Sequence, residues 1–137
     1  MDDGDSTLAR LGRLALFADL SRTQLEQVTH SFDEEVFEAG RRVLRQGLGG
    51  GNVYVVLEGE ASIRQNGAEI RRLGPGDVFG EISALTGDPP SADVIAVGVL
   101  RCFVVPGGRL EELLLQHPRV MLRLLRQEAE RLQTPGG

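Results

Sequence analysis

Short β-rich runs separated by glycine turns constrain the fold of this chain more than any other feature. The runs are 35–37, 42–44, 53–57, 61–63, 69–73, 92–97 and 99–105. Turn sequences such as Ala39-Gly40, Asn66-Gly67 and Gly74-Pro75-Gly76-Asp77 lie between them. Glycine, at 18 of 137 residues, is well above the average share of about 7%. Short strands at turn spacings of about 8–12 residues are typical of a sandwich, roll or barrel, and not of a parallel α/β sheet.

Helical patterns flank this region on both sides. Leu8, Leu11 and Leu14 recur at helical spacing, and Ser21-Arg22-Thr23-Gln24 has the form of a capping box. Near the other end, Pro118 suits the first position of a helix. The sequence predicts one mainly β domain, 1–137, with helices over 6–30, a sandwich, roll or barrel over 32–105, and C-terminal helices over 107–133.

The last helix is predicted to be amphipathic, with one apolar and one charged face. Its apolar positions are Val120, Met121, Leu124, Leu125, Ala129 and Leu132. Its charged side chains, predicted to face water, are Arg119, Arg123, Arg126, Glu130 and Arg131. Apolar positions left exposed on this helix would suit a homodimer. A fused or separate effector protein is the other partner considered.

Composition argues against several function classes. The net charge of −5 does not suit a phosphate backbone, so we expect no nucleic-acid binding by this chain. No apolar stretch approaches the roughly 20 residues of a membrane span, and the acidic start, residues 1–5, is unlike a signal peptide. A cytoplasmic protein without a membrane partner is therefore predicted. Cys102, the single cysteine, allows no disulfide within the chain and is expected to be buried.

The sequence contains none of the residue sets that we would expect of an enzyme with this kind of fold. A metal-dependent roll enzyme needs several histidines and a carboxylate around one ion, but the only histidines, His30 and His117, lie in the helical flanks. No Ser-His-Asp or Cys-His set falls within the β region. The Gly49-Gly50-Gly51 run lacks the Gly-Lys-Ser/Thr ending of a phosphate loop. We therefore expect a non-enzyme with no metal and no cofactor.

The segment Phe79-Gly80-Glu81-Ile82-Ser83 combines a strand end, a glycine and a short helical turn. A helix start offers free amides and a positive dipole end, which suit an anion, and the glycine lets a ligand approach the backbone. Glu81 could cap this helix itself or accept a bond from a sugar hydroxyl.

Two longer segments, 45–61 and 73–85, resemble the cyclic-nucleotide-binding domain, as found in catabolite-activator-type regulators and in cyclic-nucleotide-gated channels and kinases. The resemblance covers about 14–133. It implies a mainly β fold: a β-roll (double-stranded β-helix, jelly-roll-like) over 32–105, with an N-terminal helical bundle over 6–30 and C-terminal helices over 107–133. It also implies that the amides of Gly80, Ile82 and Ser83 hold a cyclic phosphate and that Glu81 takes the ribose hydroxyl.

The phosphate-binding segment departs from the family pattern, which is Pro-Arg-(Ala or Ser)-Ala-(Thr or Ser). This chain has Pro89-Pro90-Ser91-Ala92-Asp93, so Pro90 stands at the arginine position and Asp93 at the hydroxyl position. Losing the arginine is expected to weaken binding by about 10²- to 10³-fold or more, and Asp93 would repel an anion if it faced the pocket. Arg71, on the strand face of Leu73, is the candidate replacement cation, unless a bulge turns it outward to solvent.

Two functions stay open. The first is a non-catalytic regulatory domain whose affinity for cyclic nucleotides is weak or lost, serving as an interaction module. The second is a small-molecule sensor, or the sensor half of a transcription regulator, that binds cAMP, cGMP or another anion at Gly80–Ser83 and signals through the C-terminal helix.

Overall fold

The computed structural model describes residues 6–48 and 51–133. The acidic start at 1–5, two residues of the glycine run, Gly49 and Gly50, and the predicted domain end at 134–137 lie outside the described residues. The strands are β1 (Asp33–Phe37), β2 (Arg42–Leu44), β3 (Asn52–Glu58), β4 (Ala61–Gln65), β5 (Ala68–Leu73), β6 (Val78–Phe79), β7 (Asp93–Ala96) and β8 (Leu100–Pro106).

These strands form two antiparallel sheets of four strands each, in the orders β1-β8-β3-β6 and β2-β7-β4-β5. The chain changes sheet at every connection between consecutive strands except the one between β4 and β5. In the first sheet β8 lies between β1 and β3, with Phe103 opposite Glu34 on one side and Val55 on the other. The predicted β-roll is confirmed.

The helices are α1 (Thr7–Gly12), α2 (Arg22–Ser31), α3 (Glu81–Thr86), α4 (Leu110–Gln116) and α5 (Pro118–Gln133), with 3-10 turns at Ala15–Phe17 and Gly107–Arg109. The predicted capping box at the start of α2 is present. Ser21 Oγ accepts the Gln24 amide at 3.1 Å, and Gln24 Oε1 accepts the Ser21 amide at 2.9 Å. Pro118 is the first residue of α5, as expected. None of the described helices combines the length and the hydrophobicity that a membrane span requires.

Two hydrophobic clusters lie on opposite sides of the first sheet. The helix-side cluster joins this sheet to the helices and includes Leu11, Val55 and Phe103. The inter-sheet cluster joins the two sheets and includes Val56 and Leu73. Side chains of β3 alternate between the two clusters, and this double burial explains why the strand reads as an unbroken apolar run.

Cys102 belongs to the inter-sheet cluster and is fully buried, as expected. Burial in this apolar environment raises the pKa of its thiol to about 12. The thiol is therefore protonated at neutral pH and inert in the folded chain.

Candidate functional site

A cavity of about 890 Å³ opens beside the second sheet. Strands β4 and β5, helix α3, the segment 88–92 and the end of α5 surround it. The side chains of Leu44, Ile63, Ile70, Phe79, Val94 and Leu132 give it largely apolar walls. It is large enough for a small-molecule ligand.

Eight of the nine predicted site residues come together at this cavity, although they belong to two separate parts of the sequence. They are Phe79, Gly80, Glu81, Ile82, Ser83, Pro90, Ser91 and Ala92. The loop has not collapsed around Pro90, whose side chain is buried in the cavity wall and whose carbonyl accepts the Gly47 amide at 2.9 Å.

Asp93, the ninth predicted residue, does not line the cavity. Strand β7 alternates, so Val94 points into the roll and Asp93 points away. Asp93 Oδ1 accepts the Gln46 amide at 2.7 Å, and Oδ2 lies 3.9 Å from Arg42 Nε. Asp93 would repel an anionic ligand only if it faced the cavity. Its carboxylate instead faces β2, where it contacts the Gln46 amide and Arg42.

Gly80 places the start of α3 against β3. Its φ is 85°, in the left-handed region, and a Cβ built on it would lie 2.6 Å from the Asn52 carbonyl oxygen. Only glycine fits this junction without a shift of the backbone. The Gly80 conformation turns the chain from β6 into α3 and sets Glu81 at the cavity floor.

Glu81 is almost fully buried, with 3% of its surface exposed. Its Oε1 accepts the Ile82 amide at 3.3 Å. Glu81 therefore caps the helix, which is the first of the two roles considered for it from the sequence. Its Oε2 accepts from Arg131 Nη1 at 3.2 Å. Burial and the neighbouring Glu128 carboxyl raise the pKa of Glu81 to about 8, although Arg131 acts in the opposite direction.

Two polar side chains of α5 line the site and a third holds the helix against it, and no site role was predicted for any of them from the sequence. Gln127 bridges two backbone groups, accepting the Val78 amide at 3.0 Å and donating to the Gly76 carbonyl at 3.0 Å. Glu128 and Arg131 both line the cavity. Arg131 Nη2 also donates to the Val78 carbonyl at 2.5 Å and to Gln127 Oε1 at 3.1 Å.

The expectation that Arg131 faces water is wrong, because its side chain is only 15% exposed. Conversely, Leu132, assigned to the apolar face, is 84% exposed. A helical-wheel pattern shows which positions share a face, but α5 packs with different faces against the N-terminal helices and against the cavity. The one sequence signal for these buried polar contacts is the presence of polar residues next to the apolar stripe near the end of the helix.

Arg71, the candidate replacement for the missing arginine, lines the cavity. The register shift between β4 and β5 at Ile63/Arg64 does not turn it out of the wall. Its Nη2 donates to the Arg131 carbonyl at 3.3 Å, so the side chain reaches toward α5. Arg71 and Arg131 are the two cations among the described residues of the cavity wall, and both are already hydrogen-bonded.

The described part of the chain holds no group of three or more His, Cys, Asp or Glu side chains placed to bind a metal. His117 directly follows the last residue of α4, and its buried Nδ1 forms no hydrogen bond with the described residues. His30 lies in the last turn of α2.

Comparison with known proteins agrees with this geometry. Residues 34–117 match the family model described as the cyclic nucleotide-binding domain. The N-terminal domain of a transcriptional regulator from Streptomyces coelicolor is similar at 30% identity, with a TM-score of 0.66 over 97% of this chain and 92% of that one. These matches indicate regulatory or sensor domains and no catalytic family.

Two other solved structures are similar over a part of their length. The catabolite activator protein of Thermus thermophilus has 27% identity and a TM-score of 0.75, covering 86% of this chain and 58% of that one. A triple mutant of the regulatory subunit of a cAMP-independent protein kinase A from Trypanosoma brucei, bound to cAMP in its A site, has 24% identity and a TM-score of 0.78. That match covers 96% of this chain and 48% of the other, so this chain spans about half the length of these two proteins.

Proposed function

Since this chain belongs to the cyclic nucleotide-binding domain family, we propose that it is a non-catalytic regulatory domain with weak or lost affinity for cyclic nucleotides. The observation that carries this proposal is the identity of Pro90. It occupies the cavity wall at the position where the family pattern has its phosphate-binding arginine. Proline supplies neither a cation nor an amide donor there.

Energetics favour a loss of affinity. A hydrogen bond to a charged group contributes about 1.5–3 kcal/mol, and removing one partner of a buried ion pair costs about 3–5 kcal/mol. At about 1.4 kcal/mol per decade, the missing arginine weakens binding by roughly 10²- to 10³-fold or more.

The remaining cations of the cavity do not compensate. Arg131 is bonded to Glu81 and to the Val78 carbonyl, and Arg71 is bonded to the Arg131 carbonyl. The same wall carries the carboxyl groups of Glu81, Glu128 and Asp88. A phosphate entering here would have to break existing bonds and approach an excess of carboxyl groups.

A structural neighbour provides a parallel for this proposal. The Trypanosoma brucei subunit is described as part of a cAMP-independent kinase, and its triple mutant is described as bound to cAMP. If the present roll is likewise intact, a substitution in its phosphate segment should suffice to raise its affinity.

The test is isothermal titration of the chain with cAMP and cGMP at low salt, beside Pro90→Arg. We expect no measurable binding by the native chain and a gain of at least about 10²-fold in the variant, because the arginine returns a charge-assisted bond. Pro75→Arg is the matched control, since Pro75 is exposed in the turn 74–77, outside this cavity. A dissociation constant in the low micromolar range or tighter for the native chain would contradict the proposal.

The second candidate function is a ligand sensor, and it rests on the open cavity and on Arg71 in its wall. In that case Arg71 supplies the cation that Pro90 lacks, and α5 carries the signal to a partner or effector domain. Arg71→Gln separates the two candidates: it abolishes binding of the native chain if the chain is a sensor for an anion, and it changes nothing if the chain binds no nucleotide.

A further inference from the structure

The last two turns of α5 are held to the roll by polar side chains. Gln127 joins the Val78 amide to the Gly76 carbonyl, and Arg131 donates to the Val78 carbonyl. Leu132, in the same turns, is exposed at the cavity mouth. Separating this end of the helix from the roll therefore exposes little additional apolar surface, so its docking depends mainly on the polar contacts.

The charges within these contacts do not balance. Arg131 Nη1 lies 3.2 Å from Glu81 Oε2 and 3.5 Å from Glu128 Oε1, so one guanidinium serves two carboxyl groups. The Glu81 and Glu128 side chains are only 4% and 23% exposed. Glu128 Oε1 is buried and accepts no hydrogen bond from the described residues. A proton held between the two carboxyl groups would supply the missing donor and remove one of the two negative charges.

The other charged groups around this pair do not offset the second negative charge. Arg71, from β5, is directed to the Arg131 carbonyl. Asp88, in the segment after α3, adds another carboxyl group to the cavity wall. No other charged side chain of the described residues lines this cavity.

We propose that Glu81, Glu128 and Arg131 form a proton-dependent latch that holds the end of α5 over the cavity. With the shared proton in place, the two carboxyl groups bind each other and Arg131. Without it, they repel across a poorly hydrated contact, and the last turns of α5 separate from β6 and α3. The latch regulates the same cavity as the proposed function, and only its consequence for ligand binding rests on that function.

The direction of the pH effect follows from the docked arrangement. The pKa of Glu81 is about 8 when α5 is docked and would be near its ordinary value of about 4.3 in water. Docking is therefore fully favoured below the ordinary value and weakens as pH rises, by up to about tenfold per pH unit, until it levels off near pH 8. In the closed latch the Glu81 carboxyl is hydrogen-bonded to Arg131. A ligand hydroxyl would have to displace the guanidinium in order to bind Glu81.

Hydrogen exchange at the Val78 amide tests the latch without any ligand, because this amide donates to Gln127 only while α5 is docked. We expect its protection factor to fall by up to about 10²-fold between pH 6 and pH 8. The Phe103 amide, at the centre of the first sheet, should stay more protected than Val78 at every pH. That difference would show that α5 opens without unfolding of the roll.

Two variants decide the assignment. Glu128→Gln should reduce the pH dependence, because its amide can donate to an ionised Glu81 without a shared proton, while the burial of Glu81 still raises its pKa. Glu130→Gln makes the same charge change on the same helix, facing the cleft near the N-terminal helices, and should keep the native profile. A native profile in Glu128→Gln, or a pH-independent Val78 amide in the native chain, would overturn the latch. Neither result depends on whether cyclic nucleotides bind.

Discussion

Single residues decide both the shape of this site and its chemistry. Gly80 allows β6 to turn into α3 close to β3, where a Cβ on this residue would lie 2.6 Å from the Asn52 carbonyl oxygen. Pro90 keeps the opposite wall in place through its carbonyl bond to Gly47, but it brings no charge. The backbone framework of this cavity and its charge are thus carried by different residues, and one can change while the other is retained.

Gly80→Ala should destabilise the fold far more than Gly87→Ala. Both glycines have positive φ, 85° and 82°, but a Cβ at Gly87 meets nothing within 4 Å. Alanine in the left-handed region costs about 1–2 kcal/mol at either position, and Gly80→Ala adds the backbone clash with Asn52. Urea unfolding should show a loss of about 1–2 kcal/mol for Gly87→Ala and at least about twice that for Gly80→Ala. Equal losses would mean that the β6–α3 junction relaxes without cost.

The residue level also shows what the sequence could and could not predict. The capping box at Ser21 and the turn glycine at Gly80 were predictable because each depends on local chemistry. The direction of the Asp93 side chain was not, since it depends on the phase of β7 relative to the roll. A one-residue shift of phase would have brought the carboxylate into the cavity.

Among the elements, α5 has two tasks. Val120 and Leu124 anchor it in the helix-side cluster, and farther along Gln127, Glu128 and Arg131 contact the site. The apolar half was predictable from its periodicity. The polar half was not, because a polar side chain on a helix looks the same in sequence whether it meets water or a buried carboxyl group.

Gln127→Ala should loosen the end of α5. The substitution leaves the Val78 amide and the Gly76 carbonyl without their partner, at a cost of about 1–3 kcal/mol. Thermal unfolding should show a lower midpoint, and the Val78 amide should exchange faster at pH 6. Gln133→Ala, at an exposed position on the same helix, is the control and should change neither. If the two variants behaved alike, the Gln127 bridge would contribute no stability.

At the scale of the whole molecule, the two hydrophobic clusters share the first sheet. Val55 and Phe103 serve the helix-side cluster, and Val56 and Cys102, each one residue away on the same strands, serve the inter-sheet cluster. Loss of either cluster removes support from strands that the other also needs. The helices and the two sheets should therefore unfold together.

Leu11→Ala and Leu73→Ala test this coupling from opposite sides. Leu11 is 0% exposed in the helix-side cluster, and Leu73 is 1% exposed in the inter-sheet cluster. Each substitution should cost about 2–5 kcal/mol and shift one common transition, with equal calorimetric and van't Hoff enthalpies. A second transition in either variant would show that the clusters unfold independently.

The stacking of Tyr54 on Phe79 also has a spectroscopic consequence. The ring centroids are 4.8 Å apart with an interplanar angle of 13°, and the chain contains one tyrosine and no tryptophan. Phe79 is at the same time a wall residue of the cavity. The near-ultraviolet circular dichroism of the native chain therefore has a single phenol as its tyrosine source, one ring away from the cavity, so the molecule carries an intrinsic optical reporter at the place where a ligand would sit.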